Sequence, residues 1–120
     1  MEKILYVFLA GGIGSTLRYL LSMLTTEHIH LGTFPLGTFL CNILGCLLIA
    51  LFNSLSAHCG WSQELRLMLT VGLCGGLTTF STFTNESYAL ILSGDYLTYA
   101  LYLILTLAIG LLAVVIGMTI

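Results

Sequence analysis

Charge is what this chain has least of. Only 7% of its 120 residues are Asp, Glu, Lys or Arg, against 58% hydrophobic, and the mean hydropathy is +1.08. A soluble domain carries about 25% charged residues, so a water-exposed fold is excluded and an integral membrane protein is indicated. Proline is almost missing as well, and Pro35, the only one, falls in a connection. The four cysteines, Cys41, Cys46, Cys59 and Cys74, contain no Cys-x-x-Cys pair. Neither a disulfide framework nor a zinc centre is expected from them, and they are read as small packing residues. No glycine loop followed by lysine is present to cradle a nucleotide, and no nucleophile has a positioned base. An enzyme, an energy-coupling module and a nucleic-acid partner are therefore not expected.

Long apolar runs are there in abundance. They predict an all-α membrane protein, one domain over residues 1–120, with four helices at about Ile4 to Leu24, Leu36 to Ser56, Leu65 to Leu92 and Leu97 to Ile120. Each reaches the roughly 20 residues that cross a hydrocarbon layer of about 30 Å. The connections are short: Thr25 to Pro35, with Glu27, His28 and His30; Ala57 to Glu64, with His58, Cys59, Gly60 and Trp61; and Ser93 to Tyr96, a turn on Ser93-Gly94-Asp95. The histidines are read as solvated loop side chains, and Trp61 and Tyr96 as interfacial anchors. Met1 to Ala10 has no small-residue cleavage site and its apolar pattern runs on to Leu24, so the segment is expected to be retained.

Three basic residues are too few to orient the chain. Lys3 and Arg66 flank one side and Arg18 lies nearer the other, an imbalance that scarcely sets topology. One polypeptide is thus expected to insert both ways round, and inverted copies to pair as an antiparallel homodimer surrounded by membrane lipid.

Polar residues inside spans are costly, about 2.5 to 3.5 kcal/mol for a charge at the helix centre, and usually face a cavity or one another. Arg18 follows Gly11, Gly14 and Ser15 on one helical face. Thr38, Asn42 and Cys46 form a stripe on the second helix, beside a small-residue stripe of Gly37, Cys41 and Gly45; Tyr102, Thr106 and Gly110 form another on the fourth. Such stripes also glue helices together, and Thr38, Thr106 and the glycines fit that plainer role. For Arg18 two readings stand, a snorkelling anchor or a pathway residue, and Glu86 is either interfacial or deeper.

The third segment resists the packing reading best. It runs about 28 residues and carries Gly72, Gly75 and Gly76 ahead of Thr78-Thr79-Phe80-Ser81-Thr82-Phe83-Thr84. A helix break at Gly75 to Thr79 is expected. Non-helical backbone at bilayer depth needs polar partners, and freed carbonyls suit a cation such as sodium. In an antiparallel dimer, two breaks would meet near the two-fold axis and enclose one ion. Phe80 and Phe83 share a helical face, and ring edges carry positive charge. With hydroxyls of Ser81 and Thr82 and the amide of Asn42 as donors, these edges suit a small dehydrated anion. The plainer alternative is two core phenylalanines.

These residues carry a resemblance. Gly11-Gly12-Ile13-Gly14-Ser15-Thr16-Leu17-Arg18-Tyr19, Gly37-Thr38-Phe39-Leu40-Cys41-Asn42-Ile43-Leu44-Gly45 and Gly75 to Phe83 with Glu86 resemble the three signature segments of the Fluc family of small fluoride channels, in order and spaced across essentially the whole chain. The resemblance implies a dual-topology homodimer with two antiparallel fluoride pores and a central structural sodium ion, exporting fluoride passively across the cell membrane, the inner membrane in a Gram-negative source. It implies that Phe80 and Phe83 form an aromatic box, that Asn42 coordinates fluoride, and that Ser81, Thr82, Thr38 and Tyr102 belong to the pore with Glu86 near its end. Arg18 would lie in a vestibule, and the carbonyls of Gly75 and Thr78 would hold sodium. Cys46 stands where serine is common in that family and Ala50 where glycine is. Two other classes compete. A proton-coupled small dual-topology drug or cation exchanger needs a carboxylate deep in an early span, and the first two spans have none. A structural subunit would use its stripes only to bind other helices.

Overall fold

The computed structural model describes residues 1–28 and 32–120, and all regular structure in them is helical. Helix α1 spans Glu2–His28 and α2 Leu36–Cys59. They are followed by the short α3 (Gln63–Leu67), a π-helical turn (Met68–Cys74), α4 (Gly75–Leu77), α5 (Phe80–Leu92) and α6 (Tyr96–Thr119). Among the described residues, four stretches are long and apolar enough to cross a membrane: Glu2–Thr26, Leu36–Cys59, Gln63–Leu92 and Tyr96–Thr119. Large apolar side chains such as Phe8, Leu107 and Leu111 point outward along them, as they do where lipid takes the place of water.

Two helices outrun their expected ends. α1 continues through Thr25 and Thr26 to His28, both threonine hydroxyls being satisfied within the helix by the carbonyls of Leu21 at 2.6 Å and Ser22 at 2.8 Å. His28 is thus the last residue of a helix rather than part of a loop, and His30 lies outside the described residues. α2 takes in Ala57, His58 and Cys59 and stops only at Gly60, whose φ of +65° lets it cap the helix by donating to the Ser56 carbonyl at 3.0 Å. Ser62 then caps α3 by accepting from the Leu65 amide at 3.2 Å.

Backbone contact, rather than side-chain interdigitation, holds the first helix to the third segment. A Cβ added at Gly14 would collide with the Leu73 carbonyl, and one at Gly76 with the Gly11 carbonyl, so hydrogen alone fits at either place. α1 and the run from Gln63 to Leu77 ascend side by side: Lys3 Nζ donates to Gln63 Oε1 at 2.8 Å at one end, and Arg18 Nε to the Gly76 carbonyl at 3.2 Å further up. α2 descends and packs along α6, where Gly117 lies against Ala50 and Leu47. Phe83, Leu90 and Tyr102 form a buried cluster between α5 and α6, with Phe34, Phe39, Tyr99 and Leu103 packed on it.

The third stretch is helical where its glycines are and extended just beyond them. Gly75 has φ −62° and ψ −37°, whereas Thr78 (−84°, 154°) and Thr79 (−151°, 121°) are extended, and α5 starts at Phe80. Gly76 therefore serves close approach to α1, and the bend falls on two threonines.

At the far end, Asp95 N-caps α6 by accepting from the Thr98 amide at 3.4 Å and also accepts from the Thr33 hydroxyl. The Thr33 hydrogen bond, followed by that of Thr98, holds the Asp95 carboxyl below the usual carboxylate range. A depressed folded value means that its stabilisation is present above the ordinary aspartate value, near about 3.9, and is lost as pH falls through the folded one. Asp95→Asn is therefore expected to melt lower at neutral pH and to lose less on acidification than the parent; parallel melting curves at pH 7 and pH 3 would refute this. Gly76→Ala should cost about 1 to 3 kcal/mol by overpacking against the α1 backbone. Thermal unfolding in detergent checks it, and an unchanged melting temperature would refute the close-approach reading.

Candidate functional site

Between Leu77 and Phe80 the backbone leaves the helix, and side chains from three elements take over its hydrogen bonds. Asn42 on α2 meets Thr79 twice: Oδ1 accepts from the Thr79 amide at 2.7 Å and Nδ2 donates to the Thr79 carbonyl at 3.3 Å. The Thr79 side chain then caps α5, its Oγ1 accepting from the Thr82 amide at 3.2 Å. Arg18 on α1 donates to the carbonyl of Gly76. An unbroken α-helix would aim the Thr79 amide at the Gly75 carbonyl and the Thr82 amide at that of Thr78. Both donors are diverted here, and the carbonyls of Gly76 and Leu77 have likewise lost their helical amides; of these four residues, Gly75 and Thr78 are the two that line the groove.

That groove, of about 440 Å³, runs down the surface of the chain between α2, α4, α5 and α6. Asn42, Thr79, Phe80 and Phe83 line its upper part, and Cys46, Cys74, Gly110 and Leu111 its lower part. Phe80 stands 76% exposed while Phe83 is 6% exposed, their ring centroids 6.0 Å apart with planes at 46°. Phe83 continues inward to Tyr102, ring to ring at 5.0 Å and 57°. Thr106 also lines the groove, and its buried hydroxyl has no hydrogen-bond partner among the described residues.

A second, smaller cavity of about 140 Å³ lies toward the α1 C-terminus, lined by Ser22, Thr25, Thr26, Thr38 and Glu86 among others. Glu86 Oε1 accepts from the Tyr102 hydroxyl at 3.1 Å. Tyr102 is fully buried, so its ring touches Phe83 at the groove and its hydroxyl touches Glu86 at the small cavity. Phe80, Phe83, Tyr102 and Glu86 thus form one file across the chain, with Thr38 beside its far end.

Not every residue singled out from sequence joins that file. Ser81 is exposed and lies 3.3 Å from the Thr79 hydroxyl, and Thr82 takes a hydrogen bond from the same hydroxyl at 3.2 Å. Arg18 lines neither cavity: it lies ten residues, about 15 Å, short of the end of α1, level with the bend. Sequence reasoning missed Thr79 as the residue that Asn42 grips. The signal was available, since a threonine just before a helical run is a capping residue. It also took Thr106 as a packing residue.

Comparison with known proteins is consistent in one direction. Residues 5–118 match the family described as CrcB-like protein, Camphor Resistance (CrcB). A protein of Phocaeicola vulgatus named fluoride-specific ion channel FluC is 50% identical over 119 residues, which cover 98% of this chain and 96% of that one. One from Bacteroides fragilis with the same name is 47% identical, over 98% of this chain and 94% of its own. A third, from Flavobacterium psychrophilum, is 44% identical over 121 residues, 100% of this chain and 97% of the relative. With that coverage and its four apolar helical stretches, the chain is a multi-pass protein of the cell membrane and belongs to the CrcB-like family, the family that the Fluc resemblance identified.

Proposed function

We propose that two copies of this chain, inserted in opposite senses, form a fluoride-selective channel with two antiparallel pores and a structural sodium ion between them. The observation that carries the reading is the groove in which Phe80, Phe83 and Asn42 meet at an interruption of the third membrane-crossing stretch. Phe80 and Gly75 are exposed within one chain, so an inverted second copy is what would close the groove into a conduit. The relatives' name, fluoride-specific ion channel, supports fluoride as the ion.

Fluoride holds its water tightly, and each water has to be replaced as the ion enters a narrow path. Ring edges of Phe80 and Phe83 offer positive partial charge without a fixed countercharge that would trap the anion. Asn42 spends one Nδ2 hydrogen on the Thr79 carbonyl and has a second for the anion. Ser81 and Thr82 supply hydroxyls near the entrance, while Thr38, Tyr102 and Glu86 line the path at the small cavity. Passive flow suffices, because fluoride enters cells as its neutral acid and is trapped inside as an anion that the membrane voltage drives out.

The residues at the bend fit a sodium ion. The Gly75 and Thr78 carbonyls, deprived of their helical donors, are hard oxygen ligands, and two chains would supply four of them. Bound there, sodium supplies a fixed positive charge that holds two bends together.

The proton-coupled exchanger finds less support. Its carboxylate belongs deep in an early span, and here the cavity-lining carboxylate is Glu86, on α5 and bonded to Tyr102.

Purified protein in liposomes is expected to release fluoride, read with an electrode, without a proton gradient and without passing chloride; flux that requires a proton gradient would favour the exchanger, and none at all a structural subunit. Phe80→Ile and Phe83→Ile should each cut fluoride flux about tenfold or more, equivalent to about 1.4 kcal/mol on the barrier. Because Phe83 is buried within a single chain, Phe83→Ile should also lower the melting temperature. Unaltered flux in both variants would return the rings to a packing role.

A further inference from the structure

The guanidinium of Arg18 occupies a carbonyl, and that carbonyl is one of four freed at the bend. Gly75, Gly76, Leu77 and Thr78 have all lost the amides that a continuous helix would give them; Gly76 receives Arg18 Nε at 3.2 Å instead, and Gly75 and Thr78 line the groove. The contact is built from below. Gly14 sits against Leu73 and Leu77, and Gly76 against Gly11 and Ser15, which brings the two backbones together one turn before Arg18. The side chain therefore reaches across a separation that glycine alone permits, and ends on the helix terminus that the bend exposes.

We propose that Arg18 is a positioning residue: it caps α4 through Gly76, withdrawing that carbonyl from the ion site and holding those of Gly75 and Thr78 in place. This rests on the sodium reading above and assigns Arg18 a role other than that of a vestibule charge attracting anions. A planar fork with a directed Nε–H suits a carbonyl whose geometry has to be fixed, and an ammonium group on a flexible stem does not replace it. A charge acting at a distance would be indifferent to that exchange.

The test compares wild type, Arg18→Lys and Arg18→Met as full-length protein. The melting temperature in detergent is followed as sodium chloride replaces N-methylglucamine chloride at constant ionic strength, and fluoride and chloride efflux are measured in parallel from liposomes. A charge-assisted hydrogen bond of this kind corresponds to a change of roughly tenfold or more in affinity. Both variants are expected to need about tenfold more sodium for half the thermal shift, and to keep selectivity for fluoride over chloride once sodium is saturating. A lysine variant that matches wild type, or a methionine variant that binds sodium more tightly, would make Arg18 a simple charge and overturn the proposal. Should Arg18→Met not fold, the lysine variant decides alone. Wild-type protein that lacks any sodium response would overturn the sodium reading and the positioning role together, a failure visible without the variants.

Discussion

An amide that leaves a helix inside a hydrocarbon layer has no water to turn to, and the whole site follows from how that constraint is met at Thr79. Asn42 reaches from α2 and satisfies both the N–H and the C=O of that residue, as a neighbouring strand would. Its grip diverts the amide that would have closed the last helical turn. The Thr79 hydroxyl restarts the helix from the other side, so Phe80 and Phe83 emerge on a new axis beside a groove. Had the carboxamide been absent, the backbone would have no partner there and a straight helix would cost less.

The two phenylalanines are not equivalent within one chain. Phe83 belongs to the aromatic cluster with Tyr102, Phe34 and Phe39, and packing on several sides sets its orientation. Phe80 touches Phe83 and otherwise faces outward. One ring is thus a wall fixed by the fold, and the other is a surface side chain whose surroundings depend on what lies against it.

Much of this was readable from residues. Apolar runs of more than 20 residues between short polar connections left few alternatives to four helical crossings, because lipid tolerates little else. The crowding of glycine, threonine and phenylalanine between Gly75 and Phe83 marked the site, and Asn42 stood out as an amide needing partners. Other features left no trace. The expected break over Gly75 to Thr79 falls at Thr78 and Thr79, but that Gly76 within it is helical and spends its missing side chain on contact with Gly11 was not legible. The partner of Arg18 is a backbone carbonyl 58 positions away, and any residue at Gly76 would have carried one. The reach of α1 to His28 was not legible in Thr25 and Thr26, a residue type that serves turns and caps as readily as a helix interior.

The π-helical turn from Met68 to Cys74 has a consequence of its own. A π turn accommodates one residue more than an α-helix does over the same rise, and each residue advances the helix by about 100° about its axis. Removing one residue there would let the turn rewind to an α-helix over the same rise, leaving Gly76 on the face of α1 and Thr79 beside Asn42, whereas removing one from the α-helical residues that follow would turn the rest by about 100°. Those seven positions are thus where the third stretch can absorb a change of length, while Gly72 among them has room only for hydrogen against Val7 and Ala10.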